Sequence, residues 1–307
     1  MKSNREIREE AWGLLWKEGW FGRCLVASVT LALVTGIALG VIALAYRLLD
    51  IGTLQDFAAA QQKAASQGLQ FSASNSESML RMLVASLFQN FIQYLLMGIV
   101  TYGIMALTLK AARHQREGWL GEAFSGFGAP FTMFWQMFNV QIRTAFWMVL
   151  AAIPVGAVAP LFAKGAAGVA AVTVTLALVM LLVAFWLFYR YYCVWYLKAD
   201  HPDWGAGKCI GESVGMMKNW KGRAVQLDCS YWLSLLWMIP LTGALAWLVV
   251  KIQVGDGWGE ASPVELAALA GLGLVLLGYG IVLGWYVALG HAVFYREMSA
   301  EIKRSPE

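Results

Sequence analysis

Charge is scarce in this chain: of its 307 residues only 14% are Asp, Glu, Lys or Arg, against about 25% in ordinary globular domains. That scarcity excludes a disordered polyelectrolyte, and the absence of a compositional repeat excludes a fibrous chain. Cysteine is limited to Cys24, Cys193, Cys209 and Cys229, with no Cys-x-x-Cys pair, so no disulfide framework or thiol-rich metal site is expected. The three histidines, His114, His201 and His291, are spread along the chain without His-Glu-x-x-His spacing, and no metal site or cofactor is expected. What is abundant is apolar: 59% of the residues are hydrophobic and the mean hydropathy is +0.59. A soluble domain could not expose such a composition to water.

Six charge-free runs are long enough, at about 20 residues, to cross a bilayer as helices. They span Cys24 to Tyr46, Met82 to Leu109, Thr144 to Ala163, Gly165 to Tyr189, Cys229 to Val250 and Leu266 to Tyr295. Lys164 alone divides the third from the fourth, and the breakers from Pro160 to Gly168 fit a tight helical hairpin better than one bent helix. The fold class predicted is all-α, a polytopic membrane protein with six transmembrane helices and a single domain over 1–307. The positions of Lys and Arg set its orientation. Counted by alternate segments, 18 fall on one side and 5 on the other, so the positive-inside rule puts both termini in the cytoplasm. The first run is too long for the apolar core of a cleavable signal peptide and is expected to remain as an anchor. The net charge of +4 reads as a basic face beside anionic lipid headgroups, and nothing calls for nucleic acid.

Three mixed segments on the predicted cytoplasmic side, 1–23, 110–143 and 190–223, each precede a pair of spans and read as interfacial amphipathic helices. In the first, Ile7, Ala11, Leu14 and Leu15 oppose Glu9, Glu10, Lys17 and Glu18. In the second, Phe124, Phe127, Phe131, Phe134, Phe138 and Ile142 form one stripe, with Ser125, Thr132, Gln136, Asn139 and Arg143 on the other side. In the third, Ala206, Ile210, Val214 and Met217 form a stripe after the breaker Pro202. The motif Trp-x-Gly-Arg occurs at Trp20 to Arg23 and again at Trp220 to Arg223. It fits a threefold repeat of one interfacial helix plus two spans, and equally the simple use of Trp and Arg to anchor helix ends. The polar segment 47–81 is expected to form an external, part-helical loop.

Residues that could carry chemistry are few. Gly211 to Gly215 matches Gly-x-Ser-x-Gly literally, but it has helical periodicity and no preceding strand, whereas a nucleophile elbow needs a strand-turn-helix and acid and His partners. Gly207-Lys208 lacks the first glycine and the Ser or Thr of a phosphate loop. Asp228, near the start of the fifth run, and His291, near the end of the sixth, fall at the same predicted interface as Arg190, which closes the fourth. Ionisable groups at that depth are costly and usually face a partner or a water-filled cavity. A functional pocket, a structural clasp and headgroup contact all fit. Gln89, Asn90 and Gln93 lie within the second run, where helical spacing groups them on one face for interhelical hydrogen bonds or a substrate path. Gly36-x-x-x-Gly40 and Gly280-x-x-x-Gly284 suggest close helix packing.

From Arg190 the chain reads Arg190-Tyr191, Ala199-Asp200-His201-Pro202, Ser213, Met216 to Arg223, Leu227-Asp228, Ser230 and Trp232, with Phe294-Tyr295 further on. This resembles the bacterial integral membrane proteins of the domain of unknown function 975 family, which show an Arg-Tyr closing a span, an acidic-Pro turn, a Ser followed by Met-Lys-Gly-Asn-Lys-Trp-like residues, and a final Phe-Tyr. The segment from Arg5 to Trp20 resembles the family's opening. His201 departs from a second Asp that is frequent there, and Trp285-Tyr286 from a Pro-Tyr. The resemblance implies a multi-spanning protein of the bacterial cytoplasmic membrane, distantly similar to membrane domains attached to glycerophosphodiester phosphodiesterases, and supplies no activity or catalytic residue. The function expected is therefore non-enzymatic: a scaffold or envelope-homeostasis factor with membrane lipids around it and a protein partner on its cytoplasmic amphipathic helices. The alternative is a transporter or binder of lipid or small molecules.

Overall fold

The computed structural model describes residues 2–48, 76–162, 165–254 and 262–304. These residues form eleven α-helices and one 3₁₀ turn, with no strand among them. α1 is Asn4–Trp16, α2 Trp20–Leu48, α3 Ser76–Ala112, α4 Trp119–Ala123, α5 Pro130–Phe162, α6 Gly165–Arg190, α7 Val194–Asp200, α8 Ala206–Met216, α9 Lys221–Leu236, α10 Met238–Val254 and α11 Pro263–Arg304. Five segments are long and apolar enough to cross a membrane: Trp20–Val41, Leu87–Ala112, Pro130–Phe162, Ala167–Asp200 and Pro263–Arg304. The expected loop over 47–81 lies largely outside the described residues, although α2 reaches Leu48 and α3 already begins at Ser76.

The predicted fifth span is not one long helix but the pair α9 and α10, parted at Trp237. Pro240 accounts for the break, because it offers no N–H and its ring clashes with the carbonyl four residues back, that of Leu236. α10 has 17 residues, about 25 Å of helix, against a hydrocarbon core of about 30 Å. The third and fourth runs do form two helices. α5 and α6 pack side by side, Trp147 edge-on to Trp186 with ring centres 5.6 Å apart.

Most of the fully buried surface lies toward one end of the bundle. There the C-terminal half of α11 is covered by α1, α2, α3 and α9, and Leu289, Ala292, Val293, Phe294 and Met298 have essentially no exposure. α1 is secured by a capping box between Ser3 and Glu6 and buries Ile7, Ala11, Leu14 and Leu15. Each larger side chain among these contributes roughly 1.5–3 kcal/mol by leaving water. Its apolar stripe is thus covered by protein, as are Ala206, Ile210 and Met217 of the third segment. Glu10, expected on the outer face, ion-pairs with Lys2 at 2.7 Å and Arg296 at 2.9 Å. Toward the other end the spans are lipid-like outside: Ile37, Leu161, Leu182 and Leu274 are all exposed.

In the middle segment neither stripe is wholly inside or outside: Thr132 and Arg143 are exposed, and Phe134 and Phe138 are half-buried. Met133, Gln136 and Met137 are the buried residues of α5, whereas Phe131 is 73% exposed and Ile142 also faces outward. In a helix surrounded by lipid the apolar stripe is the outside face, and the face packed on protein can carry the amide. Both Trp-x-Gly-Arg motifs fold alike locally, Arg23 lying 4.9 Å over the Trp20 ring and Arg223 5.8 Å over Trp220.

Close packing depends on glycines other than those expected. A Cβ on Gly36, Gly40, Gly280 or Gly284 would meet nothing within 4 Å. A Cβ on Gly98 would lie 2.8 Å from the Met133 carbonyl oxygen and one on Gly126 2.7 Å from that of Ile99, while one on Gly103 would overlap the Ala123 carbonyl. These bring α3, the 3₁₀ turn Ser125–Gly128 and α5 into backbone contact. Gly103→Leu is therefore expected to destabilise the protein by about 3 kcal/mol or more, the upper range of overpacking, whereas Gly211→Ala, open on all sides, should stabilise it by up to about 1 kcal/mol. Thermal melting in detergent micelles checks both; equal melting temperatures for the two variants would refute the packing assigned to α3.

Candidate functional site

Asp228 on α9, His291 on α11 and Tyr189 on α6 meet through one carboxylate. His291 Nε2 lies 2.5 Å from Asp228 Oδ1, and the Tyr189 hydroxyl donates to Oδ2 at 2.6 Å. The side chains of His291 and Asp228 are 13% and 20% exposed. Tyr192 walls the site: its ring centre is 5.0 Å from that of His291, and its buried hydroxyl has no partner among the described residues. Tyr231, on the next turn of α9 after Asp228, presses its ring against Tyr286 and has a buried hydroxyl likewise without a partner. Tyr231 also sits where a Cβ on Gly290 would be, so that glycine sets how closely α9 approaches α11.

Arg190, grouped with these residues by its position in the sequence, turns elsewhere. Its guanidinium lies 4.8 Å over Trp186 and 5.5 Å over Trp147, while its carbonyl accepts from Ser213. Ser213 explains the literal Gly-x-Ser-x-Gly match. The residue is fully buried, accepts from the Cys193 N–H at 3.2 Å and donates to the Arg190 carbonyl at 3.3 Å, bridging the break between α6 and α7.

Two residues beyond the expected set organise the same end. Lys198 is 1% exposed and donates to the carbonyls of Pro202 and Trp204, each at 2.7 Å, closing the Asp200-His201-Pro202 turn. Asp200 accepts from Arg113 at 2.5 Å and from the Tyr295 hydroxyl at 3.0 Å, joining the ends of α3, α7 and α11. The acidic-Pro turn pointed to Asp200, but the run of apolar and aromatic residues around Lys198 gave no sign that its ammonium is buried.

Gln89, Asn90 and Gln93 all face outward on α3. Gln93 lines a cleft of about 680 Å³ between α2 and α3, with Ser28, Thr35, Gly36 and Thr101 among its walls. A second cleft of about 690 Å³ separates α2 from α11. The intramembrane amides and the Asp228 cluster are thus separate features, one open toward the lipid side and the other buried among helix ends. Compared with family models, with curated proteins and with solved structures, the chain matches none.

What the Asp228 carboxylate can do chemically is accept two strong donors at once and hold three helices in register. Removing it leaves two buried donors unmet, at about 1–3 kcal/mol. Asp228→Ala is expected to cost that much, Tyr189→Phe and His291→Ala each about 1 kcal/mol, and Asp228→Ala far less on a Tyr189→Phe/His291→Ala background than alone. Melting of the five variants in micelles measures the coupling, and strictly additive losses would dissolve the cluster as a unit.

Proposed function

We propose that the chain is a non-enzymatic protein of the bacterial cytoplasmic membrane, spanning it six times with both termini in the cytoplasm, and that it serves as a membrane scaffold or envelope-homeostasis factor. The sixth span in this reading is α9 and α10 taken together across the Trp237 break. The excess of Lys and Arg at the end bearing α1, α8 and the C-terminus supports the orientation. Membership of the domain of unknown function 975 family belongs to the same reading. In its favour, Arg190, Asp200, Ser213 and Asp228, which carry the resemblance, each tie helix ends together.

The observation that carries the scaffold reading is the packed platform at the charged end, and within it the outer face of α8. That helix is fixed inward by Cys209, Ile210 and Ser213, while Gly207, Gly211 and Gly215 lie exposed in one stripe with nothing near the positions of their absent Cβ atoms. Each glycine costs the helix about 1 kcal/mol relative to alanine, and such a face allows another helix to approach backbone to backbone. A second reading, a binder or transporter of lipid or small molecules, is favoured by the clefts flanking α2.

Native mass spectrometry of the protein extracted with its own lipids tests the two. The scaffold reading expects a stoichiometric protein partner on the wild type that is lost from Gly211→Leu at a melting temperature no lower than that of the wild type. A bound lipid or small molecule with no protein partner, displaced by Gln93→Leu and retained by Gly211→Leu, would replace it with the second reading.

A further inference from the structure

Three cations gather at one rim of the bundle around a pair of tryptophans. Arg190 and Lys221 share the Trp186 ring, the guanidinium 4.8 Å and the ammonium 5.3 Å from its centre. Arg190 also lies 5.5 Å over Trp147, whose ring is edge-on to Trp186. Arg143 precedes Trp147 by four residues on α5 and is exposed, which puts it one turn away on the same face. Among the described residues no carboxylate pairs with any of the three. The nearest acid along α9, Asp228, is taken by His291 and Tyr189. Arg190 Nε is buried without an acceptor. Like charges gathered on one aromatic surface repel each other, and an anion between them removes that repulsion while supplying the acceptor.

The geometry points to a binding site for the phosphate of an anionic phospholipid at the junction of α5, α6 and α9. A lipid rather than a soluble phosphate is the occupant because of where the cations stand. Arg143 and Arg190 each stand beside the boundary where a charge-free run begins or ends, the level at which tryptophans and headgroups meet, and Lys221 shares the Trp186 ring with Arg190 there. From there α6 presents Leu182 and Phe185 outward, and α9 Trp232 and Leu236, an apolar path for acyl chains. The guanidinium offers a fork to the phosphate oxygens and the ammonium a point charge. Trp186, 37% exposed, keeps both cations from collapsing onto the helices. This site is independent of the partner face of α8 and of the clefts beside α2.

The test is native mass spectrometry of the full-length protein in detergent, titrated with phosphatidylglycerol and, separately, with phosphatidylcholine of the same chains. Phosphatidylglycerol is expected to bind more tightly. Lys221→Gln should weaken it about fivefold, the equivalent of the roughly 1 kcal/mol that one interfacial cation contributes, and Lys221→Arg should restore it. Arg190→Gln should weaken it at least as much, and is read beside Lys221→Gln because the guanidinium also packs between Trp147 and Trp186. Equal affinity for the two lipids, or an unchanged affinity in Lys221→Gln, would overturn the site. Competition by soluble glycerol phosphate at the concentrations where the lipid binds would overturn the choice of a lipid and leave a site for a free phosphate ester.

Discussion

The C-terminal half of α11 is the surface on which the rest of the charged end is built. Its apolar side chains from Leu283 to Met298 are covered on several sides, and burial of that kind supplies stability without specifying direction. Direction comes from polar ties leaving the same helix. Trp285 donates to Ser28 on α2 at 2.7 Å, His291 pairs with Asp228 on α9, Tyr295 donates to Asp200 on α7, and Arg296 reaches Glu10 on α1. Each tie is worth only about a kilocalorie net, but each goes to a different helix, so together they fix rotations and registers that hydrophobic contact leaves free.

The charged network around α1 follows from that arrangement. Arg223 donates to the Lys2 carbonyl and Arg8 to the Ser230 carbonyl, so the first helix is bound to α9 as well as to α11. His114 and Arg116, just beyond α3, both approach Glu18 after α1. Surface pairs such as these contribute little singly. Their value here is positional, since they ring a segment whose apolar side is already buried.

The helices of this fold were legible because a bilayer demands long charge-free runs, and those runs can be counted. Their interruptions were less so: Pro240 was visible, but whether a proline bends or parts a span depends on what covers the freed carbonyl. The facing of α5 could not be read, since a phenylalanine stripe points inward in water and outward in lipid, and periodicity alone does not name the solvent. Asp228 and His291 stood out as rare ionisable groups at the ends of apolar runs. Tyr189 and Tyr192 did not, because tyrosine is counted among the hydrophobic residues, although the Tyr189 hydroxyl bonds Asp228. Arg190 shares their depth but not their company, and depth is all that a position in a run provides. The glycine pairs failed for a related reason: small residues permit close approach, and only the neighbour's backbone, as at Gly98 and Gly103, makes use of it.

Within lipid there is no hydrophobic force drawing one span to another, so spans close up only where small residues let backbones meet or polar groups pair. α3 satisfies that condition against α5 at Gly98 and against the 3₁₀ turn at Gly126. α2 satisfies it only at its root, where Trp20, Cys24, Ala27 and Leu31 are buried and Ser28 accepts from Trp285. Beyond Leu31 it has clefts on both sides, walled almost wholly by apolar side chains. Since the root of α2 belongs to the same buried cluster as α8 and α11, and Ile104 and Ile281 on the cleft walls pack against that cluster, whatever occupies those clefts can act on the platform through these contacts, by favouring one position of them over another.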